Sequence, residues 1–102
     1  MTLNELRYLV AVAQERSFGR AATKCFVSQP ALSVAIHKLE DELGALLFER
    51  GKSEITVTPV GERIVEQAQR VLEEASRIRE LARSGRDQLA GPPAGQAARA
   101  RA

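Results

Sequence analysis

A chain of 102 residues with a net charge of only +2 has room for one small domain. Four aromatic residues and no tryptophan leave the core to Leu, Ile, Val and Ala, which favours helices over a sheet sandwich. One cysteine excludes an internal disulfide framework, and no apolar run approaches the roughly 18–20 residues needed to span a bilayer. The N-terminus lacks the basic and apolar segments of a secretion signal, so a reducing, cytoplasmic setting is expected.

The charge is evenly spread. Residues 1–58 carry seven Lys/Arg and seven Asp/Glu, and residues 59–91 carry six of each. Arg99 and Arg101 supply the surplus of two. Global charge therefore does not advertise a polyanionic partner, and any affinity for one must come from local placement.

A first helix is expected over residues 3–16, capped by Thr2 with Glu5 completing a capping box. Leu3, Leu6, Val10 and Ala13 fall on one face, with Leu9 and Val12 widening the stripe. Ser17 caps a shorter second helix, whose Phe18, Ala21, Ala22 and Cys25 share a side. Arg16, Arg20 and Lys24 repeat every fourth residue on another face, as either solvated surface or a contact for a phosphate backbone. Phe26-Val27 is a short apolar link.

Ser28 is placed to cap a third helix from about Gln29 to Leu43, with Pro30 in its first turn and Gly44 ending it. At about 100° per residue, Leu32, Ile36, Leu39 and Leu43 point inward, and Pro30, Val34, His37, Lys38 and Asp41 point outward. Gln29 and Ser33 flank the helix start. The run Glu40-Asp41-Glu42 would repel a phosphate backbone, so any nucleic-acid contact is expected from the N-terminal half, Gln29 to Lys38.

Residues 46–50 and 55–58 alternate in hydropathy around the turn Gly51-Lys52-Ser53-Glu54, a β-hairpin with Arg50 and Lys52 at its tip. Two strands alone are marginal, so the hairpin must pack on the helices. Thr58-Pro59 then opens a helix to about Leu89, some 45 Å long. Ile64, Ala68, Val71, Ala75, Ile78 and Ala82 form a heptad stripe along it. Such a helix either lies along its own domain or, the favoured reading, pairs with a second copy. Residues 91–102, GPPAGQAARARA, have no large apolar side chain and are expected to be a disordered tail.

Helix, tight turn, helix and basic hairpin is the plan of a winged helix-turn-helix. A B-DNA major groove admits one helix, and side chains near that helix's N-terminus reach the base edges. The expected fold is therefore mainly α: three helices and a two-stranded wing over residues 1–58, then a linker and dimerisation helix over 59–90.

The ordered elements Ala21-Ala22, Val27-Ser28-Gln29-Pro30, Leu32-Ser33, Leu39-Glu40, Leu43-Gly44, Leu47-Phe48-Glu49-Arg50 and Thr58-Pro59-x-Gly61 resemble the N-terminal DNA-binding domain of LysR-type transcriptional regulators. The resemblance covers about residues 2–88 and is specific as a combination. The opening LNELRYLVAVAQERSFGRAA and the LEDELG run are similar to the peroxide-sensing, OxyR-like branch.

That resemblance implies base contacts from Gln29, Pro30, Ser33, Val34 and His37. It implies backbone contacts from Ser17, Arg20, Ser28, Lys38, Arg50, Lys52 and Ser53. Position 34 often carries a long polar or basic residue in the family, and Val34 instead offers an apolar touch to a thymine methyl. The implied partner is a pseudo-palindromic duplex bound by a homodimer joined through the linker helix, with tetramers in full-length forms. Family members continue into an effector domain. PPAGQAARARA is not strand-like, so that domain is expected to be missing, as in a fragment or a truncated gene product.

No cofactor is implied. Cys25 reads as core rather than sensor, and His37 has no second His and no Cys or suitably spaced carboxylate with which to hold a metal. One histidine and no phosphate-cradling glycine loop leave no catalytic constellation. The competing reading is an interaction protein that forms heterodimers with a full-length regulator through the Ile64–Ala82 stripe. An enzyme is a remote third.

Overall fold

A computed structural model describes residues 1–51 and 54–90, with side-chain environments up to residue 86. Its elements are α1 (Leu3–Glu15), α2 (Phe18–Cys25), α3 (Gln29–Leu43), β1 (Phe48–Arg50), β2 (Ile55–Val57) and α4 (Pro59–Ala90). The expected tail, residues 91–102, lies outside the described residues.

Each helix of the first half starts on a hydroxyl. The Glu5 amide donates to Thr2 Oγ1 at 3.1 Å and the Thr2 amide to Glu5 Oε1 at 3.0 Å, closing the capping box. Ser17 and Ser28 accept from the amides of Arg20 and Ala31 at 3.1 and 3.2 Å. Each helix also stops on a left-handed residue: Arg16 at φ 55°, Phe26 at φ 59° and Gly44 at φ 67°. The Phe26 backbone turns its ring out, leaving it 93% exposed instead of forming an apolar link.

The core is made where α1, α2 and α3 cross. Leu9, Val12, Leu32, Ile36, Leu39 and Leu47 are its most enclosed side chains. Ala21 and Ala22 are buried against them, small enough to let α2 approach closely. Leu3 and Leu43 sit at helix ends and stay exposed, contrary to their assignment to packing faces.

The hairpin is antiparallel, pairing Phe48 with Val57, Glu49 with Thr56 and Arg50 with Ile55. Its strands are shorter than the alternation predicts, because the amides of Leu47 and Phe48 turn to the Glu40 carboxylate at 2.8 and 3.3 Å. Glu40 is therefore a buried anchor for the segment leading into the wing, correcting its reading as a repelling surface charge. Glu42 is also engaged: its carboxylate accepts from the Met1 amine at 2.9 and 3.1 Å, a bond that raises the amine's pKa.

Thr58 joins wing to helix. Its amide donates to the Leu47 carbonyl at 3.0 Å, and its hydroxyl donates to the Leu46 carbonyl and caps the Gly61 amide. The chain forms two compact units, Met1–Leu72 and a second that begins at Glu73. The first unit thus extends past residue 58 and takes in the opening turns of α4. Ala68 is buried there, with Ile64, Val65 and Leu72 packed against the core. Of the expected dimerisation stripe, Ala68 is enclosed by its own chain and Ile64 is half-buried. In the remainder of α4, Ile78 and Leu81 are 69% and 68% exposed.

Candidate nucleic-acid interface

The turn between α2 and α3 presents the start of α3 to solvent. Gln29, Pro30, Val34, His37 and Lys38 are exposed and Ser33 is half-buried; Pro30, Val34, His37 and Lys38 lie on the side away from Leu32, Ile36 and Leu39, and Gln29 and Ser33 on the flank. His37 and Lys38 diverge around the helix. His37 turns toward the wing, where its Nε2 lies 3.3 Å from the Arg50 guanidinium. Lys38 sits on the flank of the Met1 amine, whose positive charge it opposes.

A groove of about 670 Å³ opens between the N-terminus of α2, α3 and the hairpin. Five of the expected contact residues line it: Ser17, Arg20, Gln29, Ser33 and Arg50. They come from three separate elements, and the fold brings them to one surface. Gln29 reaches back toward α2, where Gly19 leaves room: a Cβ there would sit 3.4 Å from Gln29 Oε1. Ser17 and Ser28 spend a lone pair on capping, which leaves each hydroxyl proton free to donate to an anion. Glu54 also lines the groove and is its one acidic side chain among the described residues.

The basic stripe of α2 is largely tied back to α1. Arg20 donates to the Glu15 carbonyl at 2.6 Å and lies 3.6 Å from its carboxylate. Lys24 donates to Gln14 at 2.8 Å and also faces Glu15 at 3.6 Å. These contacts satisfy the last turn of α1, which has no basic residue of its own. They are exposed pairs of small net worth, so a phosphate can displace them.

Arg50 differs. Its guanidinium carbon stands 4.6 Å above the centre of the Phe18 ring, and Phe18 meets Phe48 edge-on at 6.3 Å. Sequence reasoning places Phe18 on the side of α2 shared with Ala21, Ala22 and Cys25 and misses its part in this surface. Thirty-two positions separate it from Arg50, so no local spacing carries the signal. Lys52 and Ser53, the other expected wing contacts, lie outside the described residues.

Among the described residues, no group of three or more His, Cys, Asp or Glu side chains could hold a metal ion, and no helix is long and apolar enough to cross a membrane.

Residues 3–62 match the family model described as "Bacterial regulatory helix-turn-helix protein, lysR family". The chain is 47% identical over 92 residues to a hydrogen peroxide-inducible genes activator of Pectobacterium carotovorum subsp. carotovorum. That match covers 90% of this chain and 30% of the relative, so the chain spans under a third of the curated relative's length. Full-length OxyR C199D from Pseudomonas aeruginosa is similar in structure, with a TM-score of 0.82 and 66% identity over 87% of this chain and 30% of that one. The DNA-binding domain of BenM, in a complex with benA site 1 DNA, gives a TM-score of 0.78 and 39% identity over 82% of this chain and 94% of that one.

Proposed function

The chain belongs to the LysR family of bacterial regulatory helix-turn-helix proteins, and on that premise we propose that it binds double-stranded DNA sequence-specifically, as a dimer, to regulate transcription. The observation that carries this reading is the groove that gathers Ser17, Arg20, Gln29, Ser33 and Arg50 beside the exposed start of α3. A similar domain at 39% identity has been captured on DNA, which supports the same use here.

In this reading α3 lies in the major groove. Gln29 makes a bidentate contact to adenine or bridges to phosphate, Ser33 and His37 hydrogen-bond base edges, and Pro30 and Val34 make apolar contacts. Ser17, Ser28, Arg20 and Lys38 hold the backbone, and Arg50, Lys52 and Ser53 hold it from the wing. Two copies join through the exposed face of α4 that carries Val71, Ile78 and Leu81, with Ala75 and Ala82 allowing close approach. Tetramers in full-length forms, action on the bacterial nucleoid in the cytoplasm, and control of peroxide-responsive genes belong to the same proposal; the last follows the name of the Pectobacterium relative. The alternative, an interaction protein that heterodimerises with a full-length regulator through the linker helix, is not favoured, because by itself it gives the groove and the polar face of α3 no role.

Gel shifts of the chain at two salt concentrations test this. Gln29→Ala and Ser33→Ala should each weaken specific binding by about 1–3 kcal/mol per lost base contact. Arg50→Ala should weaken binding to all sequences alike and flatten the salt dependence. Salt-independent retention, or no shift with any duplex, would sink the reading.

A further inference from the structure

Arg50 is held in place without its charge being neutralised. Residues two apart on a strand share a face, so Phe48 and Arg50 both address the Phe18 ring. Phe48 meets it at an interplanar angle of 76°, and Arg50 stacks on its face. The second hold is His37. A guanidinium can only donate, so the 3.3 Å contact is a hydrogen bond in the His37 tautomer whose Nε2 accepts. Neither partner brings a negative charge to the guanidinium. Among the described residues no carboxylate lies within ion-pair distance of Arg50, whereas the charge of Arg20 is shared with Glu15.

From this geometry we propose that Phe18 and His37 are positioning residues for Arg50. They clamp its guanidinium at the mouth of the groove while leaving the charge unspent for a phosphate of the DNA backbone. Phe18 is the first residue of α2 and His37 lies midway along α3, so the clamp also ties the wing cation to the helix-turn-helix frame. Orientation fixed before binding lowers the entropy cost of ordering a long side chain on contact. The proposal rests on the DNA-binding reading above.

The test combines a DNA-free measurement with a binding cycle. In NMR spectra of the free protein, the Arg50 side-chain resonances should be shifted upfield by the Phe18 ring current and return to ordinary positions in Phe18→Leu. Binding is measured against a duplex recovered by selection from a random pool. Phe18→Leu and Arg50→Lys should each weaken it about 3- to 10-fold. The double variant should lose no more than the weaker-binding single variant, and Phe18→Tyr should keep both the shift and the affinity. If Phe18→Leu fails to fold, Phe18→Met takes its place in the cycle, and His37→Ala, at a proposed base contact, is read only by whether the Arg50 side-chain resonances of the free protein move. Independent, multiplying losses would overturn the proposal, as would normal binding by a wild type that lacks the ring-current shift. A shifted wild type that binds no duplex would instead overturn the DNA-binding reading and the positioning role with it.

Discussion

Glu40 sets how the wing leaves the helical core. Its carboxylate, in a residue 8% exposed, accepts the amides of Leu47 and Phe48 just before β1. Hydrogen bonds to a charged acceptor contribute more than neutral ones, and removing the acceptor strands two amides. Glu40→Gln should therefore cost about 1–3 kcal/mol in urea unfolding, and Glu40→Ala at least as much. The position was legible in part: Glu40 follows Ile36 by four residues and Leu32 by eight, so helical spacing places it inward. Its acidic neighbours, Asp41 and Glu42, led the other way. Nothing local reveals the partner amides, which become neighbours only after the chain has turned at Gly44. The pairing of Phe18 with Arg50 was hidden for the same reason, whereas the caps at Thr2, Ser17 and Ser28 were readable because their partners lie three residues away.

At the scale of elements, α4 serves two purposes along its length. Its start is locked to the wing at Gly61, where a Cβ would fall 2.3 Å from the Leu47 carbonyl oxygen and 2.9 Å from the Thr58 hydroxyl. Gly61→Ala must displace backbone, and a loss of about 1–3 kcal/mol is expected in thermal or urea unfolding. The motif Thr58-Pro59-x-Gly61 announced a helix start, but its glycine is required by a close approach that only the fold creates. The heptad stripe was equally legible, yet periodicity does not say which chain covers it. Ala68, at 3% exposure, packs within its own unit, and Ile78 does not. Ile78→Glu should accordingly leave unfolding stability within about 0.5 kcal/mol while shifting the proposed dimer toward monomer in sedimentation. Ala68→Glu should lower stability outright. Loss of stability in Ile78→Glu with assembly unchanged would remove this face from the interface.

For the whole molecule, a net charge of +2 means that long-range attraction to DNA is weak and that affinity depends on a few placed cations. Arg20 and Lys24 are partly occupied by Glu15, whereas Arg16 and Arg50, which also line the groove or its mouth, share their charge with no carboxylate among the described residues. If two copies each place Arg50 on one phosphate, Arg50→Ala should flatten the slope of log K against log salt by about two, at roughly 0.9 per phosphate contact. In the proposed function α3 reads duplex DNA and two copies read it together. Selecting bound duplexes from a random pool tests this most directly. The prediction is a two-fold symmetric site whose half-sites lie about one helical turn, or a multiple of it, apart. A pool that shows no enrichment, or that converges on a single unpaired half-site, would contradict it.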